Sequence, residues 1–180
     1  VNLALGEHGF DDSALGDNDG RFRNGEEAAL VLSLHNSSDG DAHNANAILS
    51  CDSPYLIFST NQLAFGDIGA GESASFQGNV SITLDPDCPG GTALAIQAAV
   101  TCDEGTYPVA FEITSSGPRL FTNAGMISVE NFVPGGSATL TPQLGNLGDL
   151  GSGELSAVLI CADTLVTITE ANKSYPNIDH

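Results

Sequence analysis

The stretch AALVLSLHN, residues 28–36, decides the fold that the sequence predicts. Its leucines stand at every second position, and in a β-strand such residues point to one face while their neighbours point to the other. The alternation therefore predicts a strand with one buried face, carried by Leu30, Leu32 and Leu34. A strand of this kind needs a second apolar layer to cover its buried face.

Further apolar runs follow along the chain, separated by turns rich in Gly, Asn, Asp and Ser. TALAIQAAVT and YPVAFEITS flank the turn CDEG and predict a β-hairpin, since Asp and Gly favour tight turns. NANAILS, YLIFST and ASFQGNVSITL have the same strand-like character. About seven strands with a turn every 8–12 residues or so are typical of an immunoglobulin-like antiparallel β-sandwich. A jelly roll, which needs about eight strands, is the alternative.

The chain also repeats itself. Residues 22–70 align without a gap on residues 132–180, an offset of 110, with eleven identical pairs among 49 positions. This period is about the size of one sandwich domain. We therefore expect tandem immunoglobulin-like sandwiches, complete over residues 1–116 and cut to a first half over residues 117–180. Identical pairs include Phe22/Phe132, Leu30/Leu140, Asn36/Asn146, Leu49/Leu159 and Cys51/Cys161.

Composition excludes several classes of function. The chain carries 23 Asp and Glu against 4 Lys and Arg, a net charge of −19, which opposes binding to nucleic-acid phosphates or to anionic membranes. It contains no run of 18 apolar residues, so no membrane insertion is expected. Because it opens on Val1 without a leader pattern, the chain is interpreted as an internal or processed piece of a longer protein.

The four cysteines show neither C-x-x-C spacing nor a nearby histidine pair, which argues against zinc. Disulfides in an exported protein are favoured, with buried free thiols as the alternative. Cys51 ends one long strand and Cys88 precedes another, and in an immunoglobulin-like order these strands are antiparallel neighbours. The sequence therefore predicts a Cys51–Cys88 disulfide and leaves Cys102 and Cys161 unassigned.

An acidic segment, GDNDGRFRNGEE at residues 16–27, precedes the leucine-rich strand. If Gly20 takes the turn position of an EF-type calcium loop, two aspartates fall at its third and fifth positions and a glutamate at its twelfth. One backbone carbonyl and two upstream aspartates add further oxygens. The predicted structural Ca²⁺ site comprises Asp11, Asp12, Asp17, Asp19, Arg21 and Glu26.

Two positions oppose this interpretation. Leu15, at the first position, has no side-chain oxygen, and Arg23, at the ninth, brings a positive charge. The alternative is a solvated acidic turn. The aligned residues of the second copy are Ile127, Val129 and Gly136, so the sandwich does not need these carboxylates to fold. Because carboxylates repel one another without a cation, calcium is the preferred interpretation.

The elements NGEE, NSSDG and AHNANAIL, spaced along residues 24–49, resemble the β-sandwich modules of large secreted bacterial proteins. These modules include those that follow gingipain-like cysteine peptidase domains. Asn24 stands where the N-P-G-E pattern of these modules has proline, whereas the second copy has Pro134 but has lost the glutamate. The resemblance implies an exported repeat module and carries over no peptidase chemistry, which belongs to another domain.

No G-x-S-x-G or H-E-x-x-H motif occurs in the sequence. The expected function is a non-catalytic structural or adhesive module of an exported bacterial cell-surface or extracellular protein, with filament assembly as one form. Its expected partners are other domains of the same polypeptide or neighbouring subunits, through strand pairing. VNLALGEHGF, residues 1–10, is the candidate donor strand. The alternatives are an accessory domain of an upstream secreted peptidase or other enzyme, and a calcium-dependent glycan-binding sandwich.

Overall fold

The computed structural model describes residues 1–130 and 133–180 and divides into two compact units. Unit 1 spans Val1–Ser116 and unit 2 spans Gly117–His180. Phe132, which the repeat pairs with Phe22, lies outside the described residues. No helix in the described part of the chain has the length and apolar character needed to span a membrane.

Unit 1 is an antiparallel β-sandwich. Over residues 1–116, all of them described, the strands are β1 Leu3–Asp11, β2 Glu27–Asn36, β3 Ala42–Cys51, β4 Leu56–Phe58, β5 Gln62–Ile68, β6 Ser73–Ser75, β7 Ser81–Leu84, β8 Ala93–Cys102 and β9 Gly105–Thr114. The first sheet has the strand order β1-β2-β7-β4, with β6 also pairing with β2, and the second has the order β5-β3-β8-β9. This confirms the predicted all-β fold of sandwich type.

The core of unit 1 lies between the two sheets and follows the predicted alternation. Leu30, Leu32 and Leu34 of β2 are buried, as are Leu94 and Ile96 of β8, while the residues between them are more exposed. These side chains belong to one continuous apolar cluster. Burial of this shared layer is what holds the two sheets together.

The structure corrects two strand assignments. ASFQGNVSITL forms two short strands, β6 and β7, because the chain between them turns through Gly78, whose φ is 92°. The sequence also predicts no strand at Gln62–Ile68, yet β5 forms there and pairs with β3. Its signal is the alternation of Leu63 and Phe65, both of which are buried.

Unit 2 contains only hairpin-sized sheets, in which β10 pairs with β13, β11 with β12, and β14 with β15. Among its described residues no apolar side chain is buried, so unit 2 has no core of its own. Its strands are β10 Leu120–Phe121, β11 Ile127–Glu130, β12 Thr139–Pro142, β13 Gly145–Asn146, β14 Leu155–Val158 and β15 Asn172–Tyr175, with a short 3₁₀ turn at Ala124–Met126.

The repeat is visible in the hydrogen bonds of two buried or half-buried asparagines. Asn36 Nδ2 donates to the carbonyls of Gly40 and Ile68 at 2.8 and 3.1 Å. Asn146 Nδ2 donates to the carbonyls of Leu150 and Ile178 at 2.7 and 3.1 Å, which are the same positions 110 residues later. In both units one amide thus ties the turn that follows it to a backbone carbonyl 32 residues further along the chain.

The strand register repeats as well. Ala47 lies opposite Leu63 in unit 1, and Ala157 lies opposite Lys173 in unit 2. The backbone N–H of Leu159 donates to the Ala171 carbonyl at 2.7 Å, as that of Leu49 donates to Asn61 at 2.8 Å. Three of the four β14–β15 residue pairs therefore reproduce pairs of β3 and β5, and the fourth differs because the register of unit 1 shifts at Ala45.

Strand β11 of unit 2 departs from the constant offset. Val129 lies opposite Leu140, so it occupies the place of Phe10, which lies opposite Leu30. It does not occupy the place of Asp19, as the gapless alignment implies. The reason is a shorter connection: eight residues separate Glu130 from its partner Thr139, where seventeen separate Asp11 from Ala29. The acidic segment is thus an insertion that unit 2 does not have.

Candidate functional site

The acidic loop, defined as residues 12–26, connects β1 to β2 in unit 1. Its backbone folds around Asp12, whose carbonyl accepts from the Gly16 N–H at 2.9 Å and whose Oδ2 accepts from the Gly20 N–H at 2.8 Å. Asn18 and Gly20 adopt positive φ values of 60° and 74°, which Asn and Gly tolerate better than other residues. Asp12 is only 5% exposed, so it anchors the loop from inside.

Three of the predicted ligands converge. One carboxylate oxygen from each of Asp12, Asp17 and Asp19 lies within 4.8 Å of the other two. Asp17 and Asp19 are exposed, whereas Asp12 lies beneath them. Carboxylate oxygens are hard ligands that suit calcium, and loop carbonyls and water would have to complete its six to eight oxygens.

Arg23 supplies the positive charge of this cluster in the structure. Its Nη1 donates to Asp17 Oδ2 at 2.6 Å, and its Nη2 donates to Asp19 Oδ2. Its Nε is buried and has no hydrogen-bond partner among the described residues. The guanidinium therefore binds the two exposed carboxylates of the cluster, and a calcium ion would have to displace it. The sequence marked Arg23 as unfavourable for metal binding but did not predict this ion pair.

The other predicted ligands have different positions. Both carboxylate oxygens of Glu26 accept hydrogen bonds from backbone N–H groups, from Asp17 at 3.2 Å and from Arg23 at 2.8 Å. Glu26 therefore holds the loop backbone in place. Asp11 accepts from the Ser13 N–H at 2.9 Å, and hydrogen bonding from the Ser13 side chain and then from its backbone lowers the pKa of Asp11. The Arg21 N–H donates to Asp19 Oδ1 at 2.9 Å. Among the described residues, Asp11 and Glu26 lie outside the three-carboxylate cluster.

A second charged group lies where β3 begins, beside the β8–β9 turn. Glu104 accepts from the backbone N–H of His43 at 3.0 Å and from its Nδ1 at 2.7 Å. The neighbouring Asn44, at a positive φ of 55°, donates from Nδ2 to Asp103 Oδ2 at 2.7 Å. The backbone hydrogen bond from His43 is the main cause that lowers the pKa of Glu104 to about 2, and the hydrogen bond to Glu104 raises the pKa of His43.

The ion pair predicts a limited pH window of stabilisation. Because the pKa of His43 is raised in the folded state, its charge stabilises the fold fully below the ordinary value of 6.5. This stabilisation is lost as pH rises through the higher folded value. Because the pKa of Glu104 is lowered in the folded state, its carboxylate stabilises the fold fully above the ordinary value of 4.5. This stabilisation is lost as pH falls towards about 2. The melting temperature of the native chain should therefore exceed that of Glu104→Gln most between pH 4.5 and 6.5.

Thermal unfolding followed by circular dichroism across pH 3 to 9 or so would measure this difference. An NMR titration should also show the pKa of His43 falling towards 6.5 in the Glu104→Gln variant. Glu112→Gln, which neutralises an exposed carboxylate on β9, is the matched control and should leave the pKa of His43 unchanged. A pH-independent difference between the native chain and Glu104→Gln would contradict the ion pair.

The predicted disulfide is not formed in the structure, where Cys51, Cys88, Cys102 and Cys161 are all free thiols. Cys51 lies opposite Ile96, at the end of the β3–β8 ladder, whereas Cys88 lies in the loop before β8 and its Sγ points to the Pro89 carbonyl at 3.7 Å. Cys102 lies six residues beyond Ile96 on β8, roughly 20 Å along the strand, too far to bridge to Cys51. The buried Cys88 thiol instead contributes to the apolar core.

Comparison with known proteins identifies no family. No protein-family model matches the chain, and no curated protein matches it. Among solved structures, a FixG-related protein from Vibrio parahaemolyticus is 16% identical, with a TM-score of 0.38, over 64% of this chain and 97% of that one. A family 123 glycoside hydrolase from Clostridium perfringens is 14% identical, with a TM-score of 0.33, over 63% of this chain and 27% of that one. The class that the fold defines is an all-β protein whose unit 1 is an antiparallel sandwich.

Proposed function

We propose that this chain is a non-catalytic structural module of an exported protein, located at the cell surface or outside the cell. The observation that carries the proposal is the repeated construction, in which Asn36 and Asn146 hold matching turns with matching hydrogen bonds. Tandem sandwiches of one type extend a polypeptide by adding units along it, and this suits a spacer or an adhesive stalk. Its partners are neighbouring domains of the same polypeptide or neighbouring subunits that pair through strands.

The charge of the chain supports this role. With a net charge of −19, copies of the module repel one another, and that repulsion keeps such proteins soluble. The outer face of the β5-β3-β8-β9 sheet carries mainly small or uncharged side chains, among them Asn46, Ala64, Gln97, Ala99 and Ala110. A surface with so few charged side chains suits packing beside other modules.

Location is the direct test of this function. An antibody raised against the purified chain should label intact, unpermeabilised cells of the source organism or detect the protein in the medium. Brief treatment of intact cells with a protease should remove the cell-bound signal, while a cytoplasmic marker protein remains intact. Recovery of the protein from the cytoplasm alone would contradict an exported module.

We further propose that the acidic loop binds one structural calcium ion in competition with Arg23. Three observations favour this second role: the convergence of Asp12, Asp17 and Asp19, the burial of Asp12, and the incomplete hydrogen bonding of Arg23. Calcium would replace the guanidinium between the two exposed carboxylates, and Arg23 would move into solvent. The ion would then stiffen the connection between β1 and β2.

Calcium titration of the metal-free chain should raise its melting temperature, because a ligand that binds only the folded state stabilises it. The gain reaches about 2.7 kcal/mol at a free concentration 100 times Kd. Asp17→Asn combined with Asp19→Asn should abolish the effect, and Arg23→Gln should tighten binding by removing the competing cation. Isothermal titration calorimetry measures both the affinity and the number of ions.

Glu154→Gln, which removes an exposed carboxylate from unit 2, is the matched control and should bind calcium as the native chain does. Melting curves that coincide in calcium and in chelator would leave the acidic loop as a turn neutralised by Arg23. A glycan array probed with and without calcium separates this structural role from glycan binding.

A further inference from the structure

The outward face of the β5-β3-β8-β9 sheet is almost free of charge, in a chain whose net charge is −19. This neutral face is defined as every second residue of 46–50, 62–64, 93–101 and 106–114, all of them exposed. Glu112 is the one charged side chain among them. The other charged residues of these strands and of the β8–β9 turn gather at one end of the sheet, the charged end, which comprises His43, Asp67, Asp103 and Glu104.

A protruding apolar side chain and a depression lie next to each other on the neutral face. Ile48 is 56% exposed and lies between Gln62 of β5 and Ala99 of β8 in the strand register. It also borders an open depression of about 480 Å³, whose lining includes the short side chains of Ala64 and Thr101. One copy of this surface therefore carries both a protrusion and a place that can receive one.

We propose that the neutral face binds the neutral face of a second copy of this chain. In this pair Ile48 of each copy enters the depression of the other, so both copies use the same two elements. Self-complementarity of this kind supports a two-fold symmetric dimer, the commonest form of soluble oligomer. The inference deepens the proposed structural role, on which it rests, by naming the neighbour that packs beside unit 1.

The area of the neutral face matches what a second copy needs. Strands lie about 4.8 Å apart and rise about 3.3 Å per residue, so four strands of about nine residues present roughly 600 Å². Two such faces bury about 1,200 Å² in total, the lower limit for a specific and stable protein–protein interface. A single peptide strand would cover only about a quarter of this surface.

The distribution of charge favours a second copy over a basic partner. A basic partner would find only Glu112 on the neutral face, whereas the charged end and the acidic loop carry several carboxylates. A second copy turned by 180° about an axis across the strands keeps the two charged ends at opposite ends of the pair. Repulsion between the copies is screened beyond about 8 Å at physiological salt, so association should strengthen as salt rises.

The edges of this sheet are less suited to a partner than its face. β9 is an edge strand, and Pro108 in its middle has no N–H to donate to a further strand. At the other edge, the Ala64 carbonyl of β5 already accepts from the Gln77 N–H at 2.7 Å. A second copy therefore contacts this sheet through its face rather than by extending it.

Sedimentation equilibrium of the full chain tests the proposal. The native chain should form a reversible dimer between micromolar and millimolar concentrations, and its dissociation constant should fall as salt rises. Ile48→Asp should raise that constant at least about tenfold, because it places an unpaired carboxylate in the interface. Ile57→Asp, on β4 of the other sheet, is the matched control: Ile57 is 55% exposed and gains the same charge, so this variant should dimerise as the native chain does.

Two further measurements locate the contact. Far-ultraviolet circular dichroism verifies that Ile48→Asp is folded, and Ala99→Asp, opposite Ile48 on β8, is an independent variant that should weaken the dimer equally. In an NMR dilution series the methyl resonances of Ala99 and Ala110 should shift with concentration. The methyl resonance of Ala29, on the other sheet, should not.

Three outcomes would overturn the proposal. One is a chain that stays monomeric up to about 1 mM at both low and high salt. Another is equal weakening by Ile48→Asp and Ile57→Asp, since association would then depend on net charge or on another surface. The third is a set of concentration-dependent shifts confined to unit 2. A monomeric chain found outside the cell would overturn this inference alone, and a dimer confined to the cytoplasm would overturn the proposed exported role.

Discussion

Leu49→Ala should lower the free energy of unfolding of unit 1 by about 2–5 kcal/mol, the range for deleting a buried leucine side chain from a packed core. Leu49 is 2% exposed on β3, where it belongs to the apolar cluster between the sheets. Its removal leaves a cavity that the ladders to β5 and β8 prevent from collapsing. Urea unfolding followed by far-ultraviolet circular dichroism measures the loss.

The repeat provides a control in the same molecule. Leu159→Ala makes the same chemical change at the equivalent position, where the side chain is 41% exposed. Because little apolar contact is lost there, the free energy of unfolding should change by no more than about 0.5 kcal/mol. Equal losses in both variants would mean that Leu159 is covered in solution.

Phe22→Ala should destabilise unit 1 by about 3–5 kcal/mol, the cost of deleting a buried phenylalanine side chain. Phe22 is fully buried although it lies in the acidic loop, and its ring packs against that of Phe10 with centroids 5.2 Å apart. Its carbonyl accepts from the Ser116 N–H at 2.8 Å, which ties the loop to the end of the unit. The variant should therefore also weaken any response to calcium, since the carboxylates lose their support.

Leu15→Ala is the control for this position. Leu15 belongs to the same loop but is 49% exposed, so its removal should change the free energy of unfolding by no more than about 0.5 kcal/mol. Urea unfolding with and without calcium compares the two variants directly. A loss below about 1 kcal/mol for Phe22→Ala would show that this end of the sandwich is open in solution and that the loop is not anchored by the core.

Much of the fold was predictable because strand signals are local. The alternation of Leu30, Leu32 and Leu34 indicates which face of β2 is buried. Every second side chain of a strand points to the same face, regardless of which element packs against it. The 110-residue repeat was equally visible, since Asn36 and Asn146 occupy matching places in both alignment and structure. Strand ends were less predictable, because β6 and β7 separate where Gly78 turns the chain towards different parts of β2.

The candidate site was only partly predictable. The sequence places six predicted calcium ligands along one segment. Which of them cluster depends on which side-chain oxygens already accept hydrogen bonds from the loop itself. Glu26 accepts two backbone N–H groups, Asp11 forms a local turn with Ser13, and Arg23 pairs with Asp17 and Asp19. Spacing along the chain does not specify these choices, because they depend on the path of the folded loop.

The sequence by itself thus determined the strand class, the repeat and the acidity of one loop, all of which follow from residue type and spacing between near neighbours. Only the tertiary structure decided which side chains meet: Arg23 lies against the carboxylates of Asp17 and Asp19, Glu104 binds His43, and Cys88 is a free thiol in the core. His43 and Glu104 are 61 positions apart, and strand order and register bring them together. Arg23 is only four and six positions from its partners, and its contacts depend on the path of the folded loop rather than on any local pattern.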